Sequence, residues 1–454
     1  MKVKIAAMVL FLISALNAQE TGLHRNIKPD ERFKTDVLLI VAHPDDETAV
    51  GGYLAKLIFD DHKKVSVIYT NRGQGGGNSV GNEQSSAMGE MREIEARTAL
   101  NKFGITNVWF LNGYDTPGQD VLHALKNVRH GQALESMVRL IRLTRPEVIL
   151  TWLPDFVAGE NHGDHQASGV IATEAFDMAG DPTVFPDQVA MPRERADIGN
   201  FNEGLISWQT KKIYYFSDAD EEVVAPGPKF DFSEVSPSKK VPYYQLAAEL
   251  NTPHLTQGDV AEIGIKAEKT GDYSEFRNYH KRFHLIFGKS VVPSKPDGDT
   301  FEGITQGSHP YVAPRGYVPQ KYEGVSVQLG GPFSFYQDFW RAHNIENIAP
   351  LVKPEINIAF GSYLNVPIIL RNSTNDSVIV TLKSSLPEGF KLSSGEGDYF
   401  LAPGEIYPVE TFVFAPQEET SKGGQDVTWN ASVNGKQIGS VSIKTFLSEW
   451  TLPQ

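Results

Sequence analysis

No cysteine occurs in the 454 residues. The chain can therefore form no disulfide, and its stability has to come from core burial, which a chain of this size can supply. A lipid anchor on an N-terminal cysteine is excluded as well. Positive charge is in deficit. Lys and Arg number 42 against 56 Asp and Glu, for a net charge of −14. That balance argues against nucleic acid and anionic membrane surfaces as partners. Long apolar runs are also scarce. Ile5–Leu16 is a twelve-residue apolar core, short of the roughly 20 residues that span a bilayer, and no other segment approaches a span. The glycine-rich stretch Asn71–Asn78 lacks the G-K-[ST] that would make it a phosphate-binding P-loop. It reads as a connector, or as a loop lining a site beside a neighbouring strand.

Lys2 and Lys4 precede the apolar core, and Ala15-Leu16-Asn17-Ala18 offers small residues for cleavage. Residues 1–18 thus read as a secretory signal peptide, with an uncleaved anchor as the alternative. The expectation is a periplasmic or secreted protein with no integral membrane segment after cleavage.

The length suggests two to three domains of roughly 100–200 residues each. The chain is organised around Asp36–Gly52, D-V-L-L-I-V-A-H-P-D-D-E-T-A-V-G-G. Val37–Ala42 is apolar without interruption, as suits a strand covered on both faces of a parallel sheet. Polar residues then crowd in at once, and Thr48–Leu57 reads as a helix. Pro44 fits a first helical turn, where its missing N–H costs nothing. The polar cluster thus sits at the carboxyl end of a central strand, where open α/β sheets place their sites.

His43 and Asp46 are spaced i, i+3, so one turn can aim both at a point. An imidazole and a carboxylate make two of the three protein ligands of a catalytic zinc site. Asp45 points elsewhere and is free for proton transfer. A helix start made acidic for dipole and capping reasons accounts for the same residues. A second polar cluster, E-N-H-G-D-H at Glu160–His165, follows another apolar run, Val148–Leu153, and offers a third ligand. With no thiol available, the ligands are limited to His, Asp and Glu, which suits a catalytic rather than a Cys-rich structural site.

Further strands are expected at Lys64–Thr70, Asn107–Leu111 and Lys212–Phe216. Helices are expected at Glu83–Lys102, with Met91, Ile94 and Thr98 facing the sheet, at Gln132–Thr144, at Gly169–Ala179 and from Val241 to a turn at Pro253. This alternation predicts a Rossmann-like, mainly parallel α/β sheet flanked by helices. Residues 261–350 form an extension whose elements the sequence does not assign. From Pro354 the pattern changes to short strand-like runs at Glu355–Phe360, Val366–Arg371, Ser377–Leu382, Val409–Phe414, Val427–Val433 and Val441–Phe446. Asn434-Gly435 is a hairpin signal. The expected domains are a catalytic unit over 19–260 and a C-terminal all-β sandwich over 351–454.

Ala42–Glu47 (A-H-P-D-D-E) with His162–His165 (H-G-D-H) resembles the PIG-L (LmbE-like) family of zinc-dependent deacetylases. Met91–Ala96 (M-R-E-I-E-A) matches that family's R-x-x-E helix, and Ala247–Gln257, ending P-H-L-T-Q, is similar to its late H-x-[ST]-Q segment. The likeness covers about residues 34–260. The C-terminal part resembles the immunoglobulin-like modules of secreted carbohydrate-active enzymes.

The resemblance implies His43, Asp46 and His165 as ligands of one Zn2+ per chain, with iron, cobalt or manganese also compatible with the set. It implies Asp45 as general base and His162 as stabiliser of the tetrahedral intermediate. Asp164 can orient His162 and raise its pKa. Arg92 is implied either to reach substrate hydroxyls or to buttress the site. Glu95, one turn on, and His254, closing over the site, join it as substrate-binding candidates. The implied reaction removes N-acetyl groups from N-acetylglucosamine-type sugars or glycoconjugates. An amidase on another amide, or a carbohydrate-binding or scaffold protein with a vestigial site, are the alternatives.

Overall fold

The structure, a computed structural model, describes residues 29–155, 162–189, 204–217, 219, 223–351, 353–418 and 423–449. The expected signal peptide and Glu160 lie outside the described residues. Among the described residues no helix is long and apolar enough to cross a membrane.

Five parallel strands, β1 (Val37–Val41), β2 (Val65–Tyr69), β3 (Val108–Phe110), β4 (Val148–Trp152) and β5 (Lys212–Phe216), and one antiparallel edge strand, β6 (Ile286–Ser290), form a sheet of order β3-β2-β1-β4-β5-β6. Every residue of β1 is buried. Val37, Leu39 and Val41 join one apolar cluster and Leu38 and Ile40 the other, so the strand is covered on both faces. On the first face lie α1 (Gly51–Phe59), α2 (Ser86–Lys102) and, further along the chain, Tyr243–Asn251. The other face is covered by two helices, His130–Thr144 and Gly163–Met178, which follow the short α3 (Val121–Asn127) as α4 and α5. Tyr243–Asn251 is accordingly α6. The expected mainly parallel sheet between helices is the one observed.

Two local expectations need correction. The helix after β1 begins with a tight 3₁₀ turn, Asp46–Val50, before α1 proper. On α2 the buried stripe is Met88, Arg92, Ala96, Ala99 and Leu100, whereas Ile94 is 65% exposed. Small alanines let α2 lie close to the sheet, so the bulkier Ile94 and Thr98 turn to solvent.

The 261–350 extension contains α7 (Asp259–Thr270, which starts just before it), α8 (Ser274–Arg282), β6, β7 (Val325–Leu329) and α9 (Pro332–His343). Two further sheets complete the fold. One has the order β12-β10-β14-β15-β8, from β8 (Glu355–Ala359), β10 (Val378–Ser385), β12 (Gly397–Leu401), β14 (Gln425–Val433) and β15 (Lys436–Ser448). The other runs β11-β13-β9-β7, with β9 (Tyr363–Asn372), β11 (Lys391–Leu392) and β13 (Ile406–Phe414). Leu364, Val366, Ile368 and Leu370 alternate inward along β9. Asn434 and Gly435 both take positive φ, 49° and 75°, in the tight β14–β15 hairpin, as the Asn-Gly pair predicts. All pairings are antiparallel except β15 with β8, which is parallel.

Strand β7 comes 26 residues before β8 begins its sheet at Glu355 (329 to 355), yet it pairs with β9 from Val325↔Asn372 to Leu329↔Ile368. The sandwich therefore begins earlier in the chain than the change in pattern at Pro354. One apolar cluster runs from α4 and α5 through Tyr336 and Trp340 of α9 into Val366, Leu382 and Trp429 of the sandwich.

Helix α5 lies hard against the end of β4. A Cβ at Gly169 would fall 2.3 Å from the Trp152 carbonyl oxygen and 3.0 Å from the Pro154 nitrogen. Backbone cannot yield as a flexible side chain can. Gly169→Ala is expected to destabilise the protein by about 1–3 kcal/mol, the usual cost of overpacking. Urea unfolding measures this, and an unchanged midpoint would refute the packing described.

Candidate metal centre

The site lies past the carboxyl ends of β1 and β4, the adjacent central strands from which the sheet order departs in opposite directions. Asp46 anchors it. Its Oδ2 accepts hydrogen bonds from the Ala42 N–H (2.8 Å), the His43 N–H (3.0 Å) and the Trp152 indole N–H (2.7 Å). With that oxygen saturated, Oδ1 turns to His165 Nε2 at 3.2 Å and His43 Nδ1 at 3.6 Å. The ligating atoms of His43, Asp46 and His165 all lie within 4.8 Å of one another. Two imidazole nitrogens and one carboxylate oxygen converging on a point match the donor set of an open zinc site.

The far side of His43 supports the same orientation. Its Nε2 lies 3.4 Å from both Asp115 Oδ1 and Asp164 Oδ2. Two carboxylates there favour a proton on Nε2, which leaves the Nδ1 lone pair toward Asp46. Burial lowers the His43 pKa, but the Asp115 charge and hydrogen bonds to Asp115, Asp164 and Asp46 hold it well above the ordinary value. Asp46 behaves inversely. Burial works against its charge, yet His165 and His43 keep its carboxyl well below the usual range.

Asp164 was expected to orient His162. Its Oδ2 instead accepts from the Asn71 side-chain amide and the Thr116 N–H, both at 3.0 Å, and faces His43. His162 caps α5, its Nδ1 accepting the Asp164 N–H at 3.2 Å. Its ring sits 4.7 Å edge-on from His43 and 5.0 Å from His165, at the wall of the cleft. His43, His162 and Asp164 form a second, overlapping group of possible donors. In the Asp46 group one carboxylate oxygen, Oδ1, faces two imidazole nitrogens at once, so that group fits a cation better.

Asp45 has φ 113°, an unfavourable angle for a residue with a Cβ. The turn holds it there because its N–H donates to Glu47 Oε2 at 3.0 Å. Half-buried on the cleft wall, its carboxyl is pushed up to about 7, first by burial and then by the Asp46 charge. Glu47 is fully buried and also accepts the Tyr69 hydroxyl at 2.7 Å, while its Oε1 meets His254 Nε2 at 2.7 Å.

That contact corrects one expectation. His254 is fully buried beneath the turn and braces Glu47; it does not line the cleft. Glu95 is likewise a brace, with its two oxygens on the Thr256 N–H (2.9 Å) and hydroxyl (2.6 Å). Gln257 completes the segment by donating to the Pro44 carbonyl. Of the two roles implied for Arg92, buttressing is the one observed. Its guanidinium donates to the Gly73 and Gly77 carbonyls at 2.7 and 2.8 Å while still edging the cleft. Gly73 has φ 65°, and a Cβ there would lie 2.6 Å from Arg92, so only glycine suits that turn.

The cleft encloses about 670 Å³ and is walled by Asp45, Gly76, Pro117, His162, Gln257 and Val260 among others. Three residues of the centre were not singled out from the sequence. Asp115 follows a strand of a parallel sheet, which is a signal for a site. Glu47 lies inside the motif itself. Trp152, stacked on His165 at 4.1 Å with 2° between the planes, ends an apolar run and carries no signal to separate it from core.

Fold and centre define an α/β domain with a His2Asp donor cluster open to a cleft. Residues 38–176 match the family described as PIG-L: GlcNAc-PI de-N-acetylase, and the chain carries a domain of that family. A 1D-myo-inositol 2-acetamido-2-deoxy-alpha-D-glucopyranoside deacetylase of Streptomyces scabiei is 25% identical over 264 residues, 53% of this chain and 75% of that protein. One of the same name from Frankia casuarinae is 27% identical over 194 residues, 39% of this chain and 57% of that protein. The match thus spans between a little over half and three quarters of these relatives' lengths. In the N,N'-diacetylchitobiose deacetylase structure from Pyrococcus horikoshii the likeness covers 60% of this chain and 92% of that one, with 17% identity and a TM-score of 0.38.

Trp152 fixes Asp46 by a hydrogen bond and stacks on His165. Trp152→Phe keeps an aromatic ring and removes the N–H. It is expected to weaken zinc binding about 10–100-fold, the usual effect of losing an outer partner of a ligand, with the fold intact. Chelator competition measures this, and wild-type affinity in the variant would refute the role.

Proposed function

We propose that this chain is a divalent-metal-dependent deacetylase, with zinc held by His43, Asp46 and His165, acting on N-acetylglucosamine-type sugars or glycoconjugates. The observation that carries the reading is the Asp46 carboxylate, fixed through one oxygen by three donors and facing two histidines with the other. The names of the relatives supply the substrate class. The Ile5–Leu16 core supports export, so the site of action proposed is the periplasm or the exterior.

Zinc bound there would supply Lewis acidity, which polarises an amide carbonyl and acidifies water. The residues of the chain do the rest. Asp45, beside Asp46 on the cleft wall, accepts a proton as water adds to the acetyl carbonyl carbon. Its raised pKa suits both taking and returning that proton. His162, which also lines the cleft, stabilises the developing oxyanion. When the C–N bond breaks, the sugar amine leaves with the proton returned by Asp45 or given by His162, and acetate remains. Asp115 and Asp164 keep His43 in one tautomer throughout. Arg92 holds the glycine loop that lines the cleft.

The metal is expected at about one ion per chain by elemental analysis. Metal-free protein whose activity ignores chelators would remove the assignment. Acetate release from a panel of N-acetyl sugars tests the substrate class; activity confined to non-sugar amides would move the reading to another amidase.

The two adjacent aspartates should separate cleanly. Asp46→Ala removes a ligand and is expected to lose both metal and turnover. Asp45→Asn keeps its shape without the proton acceptor. It is expected to retain metal while kcat falls by roughly 10²–10⁴ and KM changes little. Full activity in Asp45→Asn would rule out the mechanism.

A further inference from the structure

Two side-chain amides join the segments around the metal centre to the C-terminal sandwich. Gln119, buried, lies four residues after Asp115. Its Nε2 donates to the Asn357 carbonyl at 2.9 Å and its Oε1 accepts the Asn357 N–H at 3.0 Å. Asn357 is the middle residue of β8, an edge strand of the five-stranded sheet. The amide thus stands where the peptide group of a neighbouring strand would pair. The same loop is tied to α5, for the Gly163 N–H donates to the Gly118 carbonyl at 2.7 Å and Gln166 Nε2 reaches the Gln119 carbonyl at 3.4 Å. Gln166 directly follows His165, and its Oε1 accepts the hydroxyl of Tyr336 at 2.7 Å. Tyr336 is fully buried on α9, between β7 and β8 in the chain.

We infer that the sandwich and α9, through Gln119, Gln166 and Tyr336, set the spacing between the Asp115 loop and the helix bearing His165, and so tune metal affinity. This rests on the metal reading above. His43 leaves the end of β1, whereas His165 rides on α5, so any lateral drift of α5 opens the gap to Asp46 Oδ1. Asp115 is coupled to the same tie because its loop carries Gln119. Each amide is buried, so removing one partner removes a directional tie across the junction and lets the contact slide. Gln119, Gln166 and Tyr336 are positioning residues, and the sandwich is part of the centre's frame.

Another tie between α5 and α9 provides the control. His343 Nδ1 meets Asp177 Oδ2 at 2.7 Å, and Lys289 also contacts Asp177. Asp177 is twelve residues beyond His165, about 18 Å along the helix. His343→Ala loosens the same junction far from the centre.

In the full chain, zinc dissociation constants by chelator competition and thermal midpoints are compared for wild type, Tyr336→Phe, Gln119→Ala and His343→Ala. Tyr336→Phe, which keeps the ring, and Gln119→Ala are each expected to weaken zinc about 3–10-fold, less than the roughly 10–100-fold for direct outer partners of metal ligands. His343→Ala is expected to lower the midpoint at least as much as Tyr336→Phe with zinc affinity unchanged. Wild-type affinity in Tyr336→Phe, or an equal loss of affinity in His343→Ala, overturns the inference. Wild-type protein that takes up no zinc overturns instead the metal reading beneath it. Should Gln119→Ala not fold, Tyr336→Phe against His343→Ala still decides.

Discussion

The hydrogen bonds to Asp46 Oδ2 are the constraint on which the centre depends. Two donors are peptide groups at the end of β1 and the third is the indole at the end of β4. One carboxylate oxygen thus staples together the two strands at the middle of the sheet. It also decides which oxygen is left over and where it points. The stacking of His165 on that same indole brings the second cluster into register with the first. The parallel sheet provides the gap between strand ends, and a single acidic side chain turns the gap into a donor set.

That arrangement concentrates negative charge where water is scarce. Asp46, Glu47 and Asp164 are buried, and Asp115 approaches the same imidazole. Burying carboxylates is costly unless they are paired and hydrogen-bonded. Glu47 is balanced by His254 and Tyr69, while the other three share His43, with His165 beside Asp46. A divalent cation would supply the positive charge that histidines alone provide only when protonated. Such a cation and the proton would compete for the same cluster.

Much of this is legible in the sequence, for reasons that differ by residue. β1, β4 and β5 are apolar on both faces, so uninterrupted runs mark them. His43, Asp46 and His165 stand out because polar bursts directly follow such runs. His254 and Glu95 could be placed near the site but not assigned a role. Their partners, Glu47 and Thr256, lie 207 and 161 residues away in the chain, and burial beneath a turn leaves no local trace. Ile94 misleads because alanine supplies the contact on α2. Strand β7 is invisible as a sandwich strand, since its five residues are all half-buried and its partner comes after α9. Trp152 is hidden for the opposite reason: its ring packs as core, and only its N–H does something else.

The placement of β7 has a consequence for how the chain reaches this state. During synthesis the α/β half emerges first, and such halves ordinarily fold as they appear. Here the outer side of α5 is completed by Tyr336 and Trp340, and β7 waits for β9, whose last paired residue is Asn372. Until then the helix that carries His165 has an apolar flank without its cover. Folding of the two halves is therefore expected to be one late, cooperative event rather than two successive ones.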